Sequence, residues 1–154
     1  MCFPSSKVLR NIRLGTGLLA AVLIHSAACV AEPRQRFLPP ALYTEGQAAV
    51  GSIAYYQNCA MCHGPLLDGP AGGYPAPALR GPEFADPGYH FHLADIFKTL
   101  AMQMPAAKPG SLSPQVYVAI MAFLLKQNGY PAGPRELTYE AAASSHVPML
   151  FYAK

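Results

Sequence analysis

The sequence predicts an all-α fold of three to four short helices, and three observations carry that prediction. The stretch "EGQAAVGSIAYYQNCAMCH", residues 45–63, is free of proline and spaces Ala48, Ile53, Tyr55, Tyr56 and Cys59 near the helical period. The stretch "QVYVAIMAFLLKQNG" carries full helix punctuation: Ser113 at the N-cap, Pro114 at the first helical position and Gly129 just past the end. No internal repeat and no run of strands stands out against these helices.

The chain opens with what reads as an export segment, residues 1–31. Lys7, Arg10 and Arg13 form a basic start, "LGTGLLAAVLI" is apolar but short for a bilayer span, and "HSAACVA" offers small residues for cleavage after Ala31. Export to the periplasm follows, with a membrane association only if the segment stays uncut or if Cys29 in "SAAC" is lipidated. In that second case Ser26 stands where a lipidation signal carries leucine or a similar residue.

Residues 32–44 form an extended lead-in with the pair Pro39 and Pro40. The helix from Glu45 then runs into the two cysteines. The segment after Gly64 holds Pro65, Pro70, Pro75, Pro77, Pro82 and Pro87 among several glycines, so it is neither regular helix nor central strand. A loop this long needs something to pack against. "HLADIFKTLAMQ" puts Leu93, Ile96, Phe97 and Leu100 on one helical face, and "MPAAKPGSL" breaks that helix before the one that starts at Pro114. One domain covers 45–130, and the tail 131–154 opens in a turn and ends in an apolar run, "VPMLFY", suited to packing on the domain. The apolar material of three short helices is thin for a core without a further component.

The formal charge of +3 belongs to the export segment. Without Lys7, Arg10 and Arg13, the eleven basic residues drop to eight, against eight acidic ones. No basic stripe remains, which excludes nucleic acid as a partner class. No Ser-His-Asp grouping, paired carboxylates or phosphate-cradling loop stands out either.

Cys59 and Cys62 lie three positions apart with His63 directly behind. A disulfide closing so small a loop would constrain the unfolded chain weakly, so a structural staple explains the pair poorly. Three chemistries use this pattern. A dithiol redox switch needs the same spacing, usually beside a βαβ unit. A tetrahedral zinc site needs two more ligands, for which His90 and His92 have the wrong spacing. Haem attachment uses both thiols as thioethers and the histidine as an iron ligand.

The company of the motif resembles the class I (monohaem) c-type cytochromes over about residues 45–130. Gly51, eight positions before Cys59, and Tyr55, four before it, match that family's N-terminal helix. Ile120 and Phe123 match the helix against which it packs. "APALRG", 76–81, resembles the family's G-P-x-L-x-G loop with alanine in first place. The resemblance implies a class I cytochrome c fold around one covalently bound haem c. It also implies that the Pro77 carbonyl accepts the Nδ1 proton of His63, leaving Nε2 for iron, and that Leu79 lies against the haem face.

"QMPAAKPGSLS" resembles the segment carrying the family's distal methionine, which selects Met104 over Met102, His90 and His92 as sixth ligand. The implied function is a one-electron carrier with His63 and Met104 as axial ligands, and not a catalyst of bond-making. It would take electrons from a dehydrogenase or respiratory donor and pass them to an oxidase or another cytochrome. The segment "PGSLS…Y…A…NGYPAG" and the tail resemble the small cytochromes that serve quinoprotein dehydrogenases. The alternative is a haem-based enzyme or gas sensor with an open or labile distal site. A thiol–disulfide protein using Cys59 and Cys62 is a third reading.

Overall fold

The computed structural model describes residues 38–70, 73 and 76–152, all within Arg36–Lys154, the second of the chain's two units. The export segment and Cys29 lie outside the described residues, as do residues 32–37 of the lead-in. Among the described residues there are five α-helices, one 3-10 turn at Pro87–Tyr89 and two isolated bridges, with no strand. No helix among them is long and apolar enough to cross a membrane.

Helix α1, Glu45–Asn58, starts at Thr44, whose side chain accepts from the Gln47 N–H. It pauses at Cys59 and resumes as the single turn α2, Ala60–His63. Helix α3 covers Leu93–Gln103. Helix α4, Pro114–Gln127, begins at Ser113, whose hydroxyl accepts from the Val116 N–H, with Pro114 in the first turn. Gly129 follows it with φ at 86°, the left-handed geometry that glycine adopts without strain.

Every residue of α4 from Tyr117 to Leu125 is buried. Nine successive residues point in all directions around a helix, so α4 is the central element rather than a surface one. Helix α1 crosses it at close range, and a Cβ on Gly51 would overlap the Ala119 carbonyl. This crossing corrects one sequence expectation. The buried face of α1 is Ala48, Gly51, Ala54 and Tyr55, while Ile53 and Tyr56 are exposed. There is no room for a side chain where Gly51 meets Ala119, and Tyr55 is the one large residue on the buried face, beside that contact.

The tail contains a short helix that periodicity did not reveal, α5, Tyr139–Ala143, capped by Thr138. Five residues are too few to display a helical repeat. Beyond it the chain runs beside the start of α3: Leu93 N–H donates to the Val147 carbonyl and Met149 N–H to the Phe91 carbonyl, both at 2.8 Å. It then passes over Gly129, where a side chain would collide with the Tyr152 backbone. Met149 is fully buried and Tyr152 packs edge-on against Tyr130. The C-terminal tail is therefore part of the core.

Candidate haem-attachment site

The site is built at the junction of α1 and α2. Cys59 leaves the helical geometry of α1 with φ at −128°, and its N–H still bonds the Tyr55 carbonyl at 2.8 Å. One turn later Cys62 and His63 follow, and Gly64 ends the turn with φ at 78°. Tyr55 locks this arrangement: its hydroxyl donates to the Gly64 carbonyl at 2.7 Å while its ring packs on Phe123 of α4, centroids 5.4 Å apart. Burial drives the Tyr55 hydroxyl's pKa well above its ordinary value, with the nearby Cys59 adding to the effect. This hydroxyl therefore remains a donor.

Cys59 and Cys62 are both half-buried and not joined by a disulfide. Burial, and then repulsion from Cys62, pushes the Cys59 thiol up to about 11. Reactive dithiol centres depress the pKa of their attacking thiol, so this shift runs against the thiol–disulfide reading. Among the described residues no three His, Cys, Asp or Glu side chains converge as ligands for a bare metal ion, which leaves the zinc reading without its donor set there.

His63 is buried and its Nδ1 lies 2.8 Å from the Pro77 carbonyl oxygen. A carbonyl can only accept, so Nδ1 carries the proton and Nε2 is the nitrogen with a free lone pair. The Pro77 loop is tied down on both sides. Leu79 N–H donates to the Leu67 carbonyl at 2.9 Å. The buried Asn128 side chain donates to the Leu79 carbonyl at 3.0 Å and accepts from the Gly81 N–H at 3.1 Å. Leu79 itself is half-buried against the core.

Of the distal candidates, Met104 is half-buried and packed against the core, whereas Met102 is 70% exposed. Met104 caps α3, and its carbonyl accepts from the Tyr117 hydroxyl at 2.7 Å. His90 is exposed. The His92 ring lies 3.5 Å from the Asp95 carboxylate, and both histidines line a separate cavity of about 220 Å³ with Phe91 and Met149. Asn128 and Tyr117 were not singled out by sequence reasoning. A polar residue at the end of an otherwise apolar helix was the available signal for Asn128.

Two unbridged thiols three positions apart, an oriented imidazole and a sulfur ligand candidate on a pinned loop fit a covalently held haem. Among curated proteins none matches the chain. Among solved structures, the sulfane dehydrogenase SoxCD from Paracoccus pantotrophus is similar, with 29% identity and a TM-score of 0.51. The match covers 85% of this chain and 66% of that one, so the chain spans about two thirds of that chain's length. Residues 46–124, just over half of the chain, match the family described as "Cytochrome C oxidase, cbb3-type, subunit III". The chain thus belongs to that family of c-type cytochrome domains, with an all-α class I cytochrome c fold and one haem-attachment motif.

Proposed function

We propose that the protein is an exported, periplasmic one-electron carrier. A single haem c is held by thioethers from Cys59 and Cys62, with His63 and Met104 as axial ligands. The observation that carries this reading is the hydrogen bond from His63 Nδ1 to the Pro77 carbonyl, 2.8 Å long, one residue beyond the second cysteine. It commits one ring nitrogen and aims the other, the orientation that metal-bound histidines require.

Bound there, the haem iron supplies a centre that gains and loses one electron. The residues supply the rest. Cys59 and Cys62 prevent loss of the group outside the cell. Met104, as a soft thioether, favours the ferrous state and fills the position a substrate or gas would need. Leu79 and the core beside it exclude water from the ring face.

The donor in this reading is a dehydrogenase, and the acceptor an oxidase or a further cytochrome. The similarity to a chain of SoxCD, a sulfane dehydrogenase, supports the first half. With eight basic and eight acidic residues left after the export segment, docking rests on apolar contact and depends weakly on salt.

The test is a visible spectrum of the periplasmically expressed protein, oxidised and reduced, before and after denaturation and acid–acetone extraction. Haem bands that stay with the chain through extraction support attachment at Cys59 and Cys62. A weak near-red sulfur-to-iron band in the oxidised protein supports Met104. A colourless protein made alongside a competent haem-maturation system overturns the proposal.

A further inference from the structure

The two loops that carry the proposed axial ligation are gripped by one helix. Tyr117 lies in the first turns of α4 and Asn128 caps its end. Eleven positions amount to about three helical turns, so the two side chains leave nearly the same side of α4, roughly 16 Å apart along its axis. Both are buried, Asn128 completely.

At the C-terminal end, Asn128 spends its whole carboxamide on backbone. Its Oδ1 accepts from Gly81 N–H at 3.1 Å, and its Nδ2 donates to the Leu79 carbonyl at 3.0 Å and to the Leu124 carbonyl at 2.9 Å. The first two bonds hold the loop immediately after Pro77, whose carbonyl faces His63. At the N-terminal end, the Tyr117 hydroxyl donates to the Met104 carbonyl at 2.7 Å and accepts from Leu112 N–H at 3.3 Å. It therefore closes the loop from 104 to 112 at both ends. Gly110 N–H adds a second bond to the same Met104 carbonyl, at 3.3 Å.

We infer that Asn128 and Tyr117 are positioning residues that set the balance of oxidised and reduced haem from opposite sides. Asn128 acts through the Pro77 carbonyl and Tyr117 through the Met104 backbone. The inference rests on the haem c reading above. Its signs follow from ligand chemistry. The bond from His63 Nδ1 to a firmly held carbonyl makes the imidazole more basic and favours ferric iron. Loosening that carbonyl shifts the balance toward ferrous. A thioether favours ferrous iron, so loosening Met104 shifts it toward ferric.

The experiment is redox titration of the full, haem-loaded protein and of the variants Asn128→Leu, Asn128→Ala and Tyr117→Phe. At the potential where the unsubstituted protein is half reduced, the Asn128 variants should show a several-fold higher ratio of ferrous to ferric. Tyr117→Phe should show a several-fold lower ratio and a weakened near-red sulfur band. Asn128→Leu keeps a similar shape without charge and Tyr117→Phe removes one oxygen, so the test survives if Asn128→Ala does not fold. As a second measurement, the proton NMR signal of His63 Nδ1–H should exchange faster in Asn128→Leu and stay unchanged in Tyr117→Phe. A merely structural role predicts lower melting temperatures with shifts of the same sign in all variants, or none, and either result overturns the inference. Haem that is lost from the unsubstituted protein on extraction overturns the underlying reading as well. Firmly attached haem with unmoved titrations overturns the positioning role alone.

Discussion

Gly51 meets Ala119 at the crossing of α1 and α4 so closely that the position tolerates no side chain: a Cβ there would overlap the Ala119 carbonyl and press on the Ile120 nitrogen at 3.1 Å. This contact lets α1 lie against α4 along its length, which in turn brings Tyr55 onto Phe123 and fixes the end of α1 where Cys59 begins the site.

Gly51→Ala should therefore destabilise the haem-loaded protein despite the better helix propensity of alanine. Overpacking of this kind costs ~1–3 kcal/mol, more than the roughly 1 kcal/mol that alanine gains over glycine in a helix. Chemical denaturation is the check. A midpoint that rises on substitution would mean that the two helices can separate without cost.

Tyr55→Phe keeps the ring against Phe123 and removes only the donor to the Gly64 carbonyl. The Gly64 carbonyl keeps a longer bond from the Leu67 N–H, at 3.2 Å, so losing the hydroxyl costs about 0.5–1.5 kcal/mol and loosens the turn that carries His63. The expected result is a lower denaturation midpoint with haem still attached through both cysteines. An unchanged midpoint would show that the bond from the Leu67 N–H is enough to hold the Gly64 carbonyl.

Met104→Ala and Met102→Ala should separate cleanly. The first should leave the haem attached, abolish the near-red sulfur band, lower the reduction potential and open the ferrous protein to carbon monoxide. The second removes a side chain that is 70% exposed and should change none of these. Ready carbon monoxide binding by the unsubstituted protein would instead favour a vacant distal site.

Alkaline pH should weaken the fold through its buried tyrosines. Burial, with the Glu45 carboxylate second, raises Tyr43 from 10.0 to about 12. Burial raises Tyr130 equally, against an opposing hydrogen bond from the Leu150 N–H. Tyr55 and Tyr152 are also raised, again chiefly by burial. Above pH 10 the unfolded chain surrenders these protons while the folded chain retains them, so unfolding gains free energy as pH rises. Stability should be insensitive to these groups below pH 10 and fall steadily between 10 and about 12. Denaturation midpoints across that window test it, and a flat profile would contradict it.

Helices that carry their own punctuation, and a motif that carries its own chemistry, are legible in the chain before it folds. Ser113, Pro114 and Gly129 bound α4 because caps act on the backbone groups next to them. Cys59, Cys62 and His63 are legible because thioether attachment and proximal ligation need neighbours in the chain, whatever the fold around them. Folding itself set whatever depends on distant segments. It turned Ile53 and Tyr56 outward, since how closely α1 approaches α4 is a property of two helices. It built α5 and drew the tail into the core, where bonds from Leu93 and Met149 join segments far apart in sequence. It also brought Asn128 to the Leu79–Gly81 loop and Tyr117 to Met104. Both are hydrogen bonds between a side chain and a remote backbone, a pairing that leaves no periodicity or spacing in the sequence to reveal it.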